Sequence, residues 1–171
     1  MDRIERIAGR LRQVYDGDPW HGAPAVQVLA GVTAAEAAAR PVPNAHSIWE
    51  ILLHMTGWTE EVRRRLEGGR PELPAAGDWP PVPEPTEEGW RAARDRFGEA
   101  HDRLLAALER LPEERLEGKV GQERDLPLGT GVTLDYTLQG ILQHHVYHTG
   151  QIALLKKALA QGPTDRTSVT Q

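Results

Sequence analysis

The stretch Leu134–Leu159, LDYTLQGILQHHVYHTGQIALLKKAL, decides how the chain is read. It predicts one long helix carrying His144, His145 and His148. His144 and His148 are four positions apart, which puts both imidazoles on one helical face, about 6 Å apart at Cβ. Two neutral imidazoles at that spacing can share a divalent metal ion. His145 is turned roughly 100° from His144, so it cannot comfortably join the same ion. Packing, or a bond to a backbone group, is the reading for it.

Working outward, the rest of the chain supplies further helices. Ile4, Ile7, Leu11 and Val14 mark an amphipathic helix over residues 2–16. Residues 15–24, YDGDPWHGAP, read as a loop, and 25–32 as a short apolar helix. Thr33 can cap a further short helix that stops at Pro41. The second long helix is expected over 44–66. Ser47 and Glu50 form a capping box there, and Ile48, Ile51, Leu52, Met55, Trp58, Val62 and Leu66 recur at helical spacing. Residues 70–85 contain six prolines and little periodicity, so they read as a long connection too stiff and polar to be core. Thr86 opens the third long helix, with Trp90, Phe97, Leu104, Leu108 and Leu111 as its stripe. Residues 112–132 allow a short hairpin, and Thr133 is placed to cap the last helix. Four long amphipathic helices without a strand pattern give an all-α bundle. Short links join antiparallel neighbours, whereas a long second link crosses the bundle. One domain over residues 1–161, with a disordered tail over 162–171, is the expected organisation.

Composition narrows the chemistry. The chain has no cysteine, so any metal is held by nitrogen and oxygen, and any thiol must come from outside. The formal charge is -5 and there is no basic block. The densest cationic run, Arg63–Arg65, is flanked by Glu60, Glu61 and Glu67 and reads as a solvated helix face, so no nucleic-acid partner is expected. No apolar run approaches the roughly 20 residues of a membrane span, and MDRIERIAGR is too polar for a signal peptide. A cytoplasmic protein with no membrane partner is the simplest expectation.

Two histidines on one helix make half a site, and zinc or nickel calls for a third protein ligand. His54, in ILLHMTGW, sits among core-type residues of the second long helix. It lies on or beside the inward face, where the last helix can meet it. Three imidazoles from two helices would leave one to three positions on the ion for water or substrate, an arrangement more catalytic than structural in style. A lone histidine on an apolar stripe is, however, more often a hydrogen-bonded core residue. The residues alone leave both readings open.

In combination, His54 in ILLHMTGW and His144-x-x-x-His148-x-x-Gln151 in QHHVYHTGQIALL resemble the DinB-like superfamily, also called YfiT-like metal-dependent hydrolases. The resemblance covers nearly the whole chain, including AHSIWEILLH, the proline-rich second connection and the closing HTGQI. It implies a four-helix bundle in up-down-down-up order and frequent homodimers. It also implies a three-histidine site for zinc or nickel, with His54, His144 and His148 as ligands.

Further residues are candidates with rival structural roles. Gln151 can orient an imidazole or a bound water, or simply pack between helices. Glu50 can act as a general base or support a ligand histidine, although its capping box already explains it. His46 precedes Glu50 by one helical repeat and can rim the pocket. Tyr147 can offer a phenol at the mouth, and Trp20 can cover the site or plug the bundle end. His101 reads as structural, and Trp49, Trp58, Trp79 and Trp90 as packing.

Three functions follow. One is a small-molecule thiol S-transferase of bacillithiol or mycothiol type, which the resemblance implies for some relatives. It needs no protein carboxylate base, because the metal lowers the thiol pKa, and position 145 is a histidine where a His-Glu-x-x-His motif would have glutamate. The second is a metal-dependent hydrolase. The third is a non-catalytic metal-binding stress-response protein. A carboxylate within reach of the open metal position would favour the hydrolase, and a protein group filling that position the third.

Overall fold

Capping chemistry sets where the helices begin. The computed structural model describes residues 2–123, 125 and 128–161. In it, α1 (Arg3–Tyr15), α3 (Ala34–Ala38) and α4 (Ile48–Leu66) each open on a reciprocal capping box: Asp2 with Glu5, Thr33 with Glu36, and Ser47 with Glu50. Each box satisfies two amide donors that a helix start otherwise leaves unpaired. α4 therefore begins at Ile48 rather than near Asn44. Asn44 itself takes a left-handed φ of 62°, which turns the chain just before the cap. α2 (Ala25–Leu29) is shorter than expected, and Gly31 at φ 73° lies just beyond its end.

α5 (Glu87–Glu109) starts on Thr86, whose hydroxyl accepts from the Gly89 amide. A 3-10 turn over Glu113–Glu117 leads to β1 (Lys119–Val120), which pairs antiparallel with β2 (Val132–Thr133). α6 (Leu134–Gln161) follows at once, and Thr133 Oγ1 accepts the Tyr136 amide at 3.1 Å. Among the described residues the fold is thus all-α, apart from this two-stranded ribbon. The expected tail, 162–171, lies outside the described residues.

The helical stripes meet as their periodicity predicts. α4 packs on α5 and α6, and α1 packs on both of those. One apolar cluster gathers Leu11, Val62, Leu104, Leu108 and Leu138. A second gathers Trp49, Leu52, Trp90, Phe97 and Ile152. Trp90 is fully buried, and its indole N–H donates to the Val32 carbonyl at 2.7 Å, so its one polar atom is satisfied.

Two expectations need correcting. Arg63–Arg65 is not wholly a solvated face, because Arg65 is buried and pairs at 2.9 Å with buried Glu61, one turn away on the same inward side of α4. Nor is the proline-rich connection merely a polar strap. Glu61 Oε1 also accepts the Glu72 amide at 2.8 Å, which ties the connection to α4. Buried Pro74 lies against Gly57, where an added Cβ would meet the proline Cβ at 3.0 Å. The connection thus runs close along α4 and delivers residues 78 and 79 beside His54.

Candidate metal centre

The register of two helices brings His54, His144 and His148 together. His54 lies on the inward face of α4, and His144 and His148 are one turn apart on the face of α6 that packs against it. One ligating atom from each can be chosen so that all lie within 4.8 Å of one another, a set that could hold a metal ion. The closest pair, His54 Nε2 and His144 Nε2, is separated by 2.8 Å. Two nitrogens bound to one tetrahedral zinc sit about 3.3 Å apart, within the spread of this set.

Hydrogen bonds to the outer nitrogens fix the tautomers. His54 Nδ1 faces two acceptors, the Asp78 carbonyl at 2.8 Å and Asp78 Oδ1 at 3.1 Å, so it carries the proton and donates. His148 Nδ1 likewise donates to Gln151 Oε1 at 2.7 Å. Both rings therefore turn a lone pair on Nε2 toward the cluster, as metal ligation requires. His144 differs: its Nδ1 is buried and has no hydrogen-bond partner among the described residues.

All three imidazoles are held neutral. Burial pushes His144 down to about 2, and the neighbouring histidines add to it. Burial likewise lowers His54 and His148, against opposing hydrogen bonds from Asp78 and Gln151 respectively. A cluster that resists protonation keeps its lone pairs available at neutral pH.

The cluster closes one end of a cavity of about 530 Å³ between α4 and α6. Trp58, Val62 and Arg65 continue its α4 wall, Tyr136, Gly140 and Ile141 its α6 wall, and Gly129 and Thr130 lie across it. Tyr147 is 63% exposed at the mouth. The arrangement can hold a Lewis-acidic ion at the base of a cleft sized for a small molecule.

The remaining candidates divide. Gln151 joins the cluster through His148. Glu50 faces elsewhere: its carboxylate closes the α4 capping box, pairs with Arg40 and lies 3.7 Å from His46 Nδ1. Burial would raise its pKa, but the Ser47 hydrogen bonds and the Arg40 charge outweigh this and lower it. It does not line the cavity. His145 donates to a side chain, Thr59 Oγ1 at 2.9 Å, rather than to backbone, since the threonine proton is committed to the Met55 carbonyl. Trp20 is wholly exposed over a separate groove, so it neither covers the cluster nor plugs the bundle.

Sequence reasoning missed Asp78 and read Trp79 only as packing. Asp78 Oδ1 accepts from Trp58 Nε1 at 2.7 Å as well as facing His54. The Trp79 ring stacks on His54 at 3.9 Å and on His46 at 3.6 Å. Those two imidazoles sandwich it. The available signal was a large aromatic, flanked by Gly77 and Pro80, in an otherwise polar connection: such a side chain must find apolar cover.

Neither a search of curated proteins nor one of solved structures returns a match. The family model of the DinB superfamily matches residues 20–152, a span that holds α2 to α5, most of α6 and all three clustered histidines. The chain belongs to the DinB superfamily.

Proposed function

We propose that the chain is a metal-dependent enzyme acting on small molecules, with His54, His144 and His148 holding zinc or nickel, and that its reaction is thiol S-transfer of bacillithiol or mycothiol type. The observation that carries the metal reading is the pair of Nδ1 donors. Asp78 and Gln151 set two Nε2 lone pairs toward the third histidine, beside an open cavity. A divalent ion held there would act as a Lewis acid that lowers the pKa of a coordinated thiol or water.

The protein's own groups then have separate tasks. Asp78 and Gln151 orient the imidazoles, and Trp79 shields one face of His54 from water. In the transfer, the thiol sulfur forms a bond to the acceptor carbon, its proton passes to solvent, and the leaving group departs with its bonding pair. This needs no strong carboxylate base. Glu50 is held by its cap and Arg40, which favours transfer over hydrolysis. Hydrolysis is the second reading, and Asp78 is what supports it: the carboxylate lines the cavity and only one of its oxygens accepts a described hydrogen bond. A non-catalytic metal-binding stress-response role is the third.

One domain over residues 1–161, the up-down-down-up helix order and homodimer that the family resemblance implies, and a cytoplasmic setting are parts of the proposal. The link between α4 and α5 runs from 67 to 86, long enough for the crossing that this order requires. Among the described residues no helix is long and apolar enough to cross a membrane.

Elemental mass spectrometry of the untagged protein and of His54→Ala tests the site. About one zinc or nickel per chain, lost in the variant, is the expected outcome. No metal after reloading ends both enzyme readings. If metal binds, thiol conjugation is then assayed against ester and amide hydrolysis. Turnover of esters alone would replace transfer with hydrolysis.

A further inference from the structure

A second cavity, of about 440 Å³, adjoins the histidine cluster on its other side. It shares His148 and Tyr147 with the first cavity, so the two meet at the cluster from different directions. Trp79 stands between them on the His54 side. His54 lines the first cavity and not the second, Trp79 lines the second and not the first, and their rings lie nearly parallel in contact.

The two cavities differ in chemistry. Arg65, Asp78 and Asp125 put both signs of formal charge on the wall of the first. The described wall of the second carries no carboxylate, guanidinium or ammonium group. It consists of Val42, Ile51, Leu154 and Leu155, the Trp79 edge and His46, with Asn44 and Gln151 as its amides. Gln151 gives its oxygen to His148, and among the described residues its NH2 donates to nothing. That leaves a fixed amide donor beside His148 in a mostly apolar chamber whose other polar side chains include Asn44 and His46.

We propose that this second cavity binds the acceptor: an uncharged molecule with an apolar or aromatic body and one hydrogen-bond acceptor, which Gln151 NH2 engages. The thiol, rich in polar groups, occupies the charged first cavity. Burying an ion in the second, with no counter-charge, would be unfavourable, whereas an apolar body displaces weakly held water. The sulfur and the acceptor carbon then meet past Tyr147 and His148, the residues common to both chambers. The assignment rests on the transfer reading above.

The test uses the zinc-loaded full chain and benzyl alcohol as the probe, followed by amide chemical shifts. Benzyl alcohol is expected to shift Ala45 and Leu154 on the second wall and the Gln151 side-chain NH2, leaving Thr137 and Gly140 on the first unmoved. Benzylammonium, the same ring with a charge, should bind about tenfold more weakly or worse. Leu154→Trp adds bulk at a 65% exposed rim position and should weaken the probe by about tenfold without changing zinc stoichiometry. Val42→Trp, at a second exposed rim position, repeats the test should the first variant not fold. Shifts confined to Thr137 and Gly140, equal binding by Leu154→Trp, or equal binding of benzylammonium would overturn the proposal while leaving the metal reading intact. A dimer that Leu154→Trp converts to monomer, with no probe bound, would assign the cavity to a second copy instead. Zinc failing to bind the three histidines removes the transfer reading; a probe still seated in the cavity would then mark a pocket without the acceptor role.

Discussion

The molecule buries two groups of histidines, and helical spacing by itself sets apart only the His144/His148 pair. His54, His144 and His148 form one; His101 and His145 form the other. Burial depresses the pKa in both: His145 is pushed down to about 3, with His101 and His148 adding to it, and His101 to about 4. What separates them is where the nitrogens go. In the first group two outer nitrogens are tied to Asp78 and Gln151, and the ligating atoms converge beside a cavity. In the second, His145 gives its proton to Thr59, and His101 stacks on Tyr15 at 4.1 Å, with neither nitrogen bonded among the described residues. Neutral buried imidazole is therefore common to both. Convergence with outer support makes a candidate site, and its absence makes a core residue.

The largest contrast is expected from removing one member of each group. His148→Ala should drop metal content from about one ion per chain to near zero with most helix content retained, whereas His101→Phe should keep the ion. Elemental analysis with circular dichroism checks both, and full-affinity zinc in His148→Ala would erase the distinction. A smaller effect is expected from the outer support. Gln151→Ala should weaken zinc about tenfold in a chelator competition, because the His148 ring loses its orienting acceptor. Unchanged affinity would reduce Gln151 to helix packing.

Acid probes the second group on its own through His101. His101 titrates near 6.5 when unfolded and near 4 when folded, so the unfolded chain binds the extra proton between those values. The stability is complete above pH 6.5 and is lost as pH falls toward 4, at up to about 1.4 kcal/mol per pH unit from this residue. His101→Phe should flatten the slope of the urea midpoint against pH in that window by this amount. An unaltered slope would show that His101 is protonated in the fold. The smallest effect on the metal is expected from Thr59→Val. It leaves the His145 N–H unpaired at a cost of about 1–3 kcal/mol, and zinc stoichiometry should not move. Loss of metal in that variant would draw His145 into the site.

The sequence was legible wherever the information was local. The Ser47/Glu50 capping box, Thr86 and Thr133 at their helix starts and the apolar stripes placed the long helices within a few residues, because each depends on groups three or four positions apart. The His144/His148 pair was legible for the same reason. The boundary near Asn44 was not, because a left-handed residue breaks the helix just before its cap. Arg65 looked solvated because its run is charged, but Glu61 one turn away meets it inside.

Sequence by itself therefore determined the helices, the absence of thiol ligands and the superfamily that residues 20–152 match. The family resemblance already grouped His54, His144 and His148; only the tertiary structure decided that Asp78 and Trp79, some 24 residues beyond His54, return to it. It also decided that Glu50 turns to its cap and Arg40 rather than to the cavity. The physical reason is that helix periodicity fixes which face a side chain occupies. Which faces meet, and what a long connection lays across them, depends on packing between residues far apart in the chain.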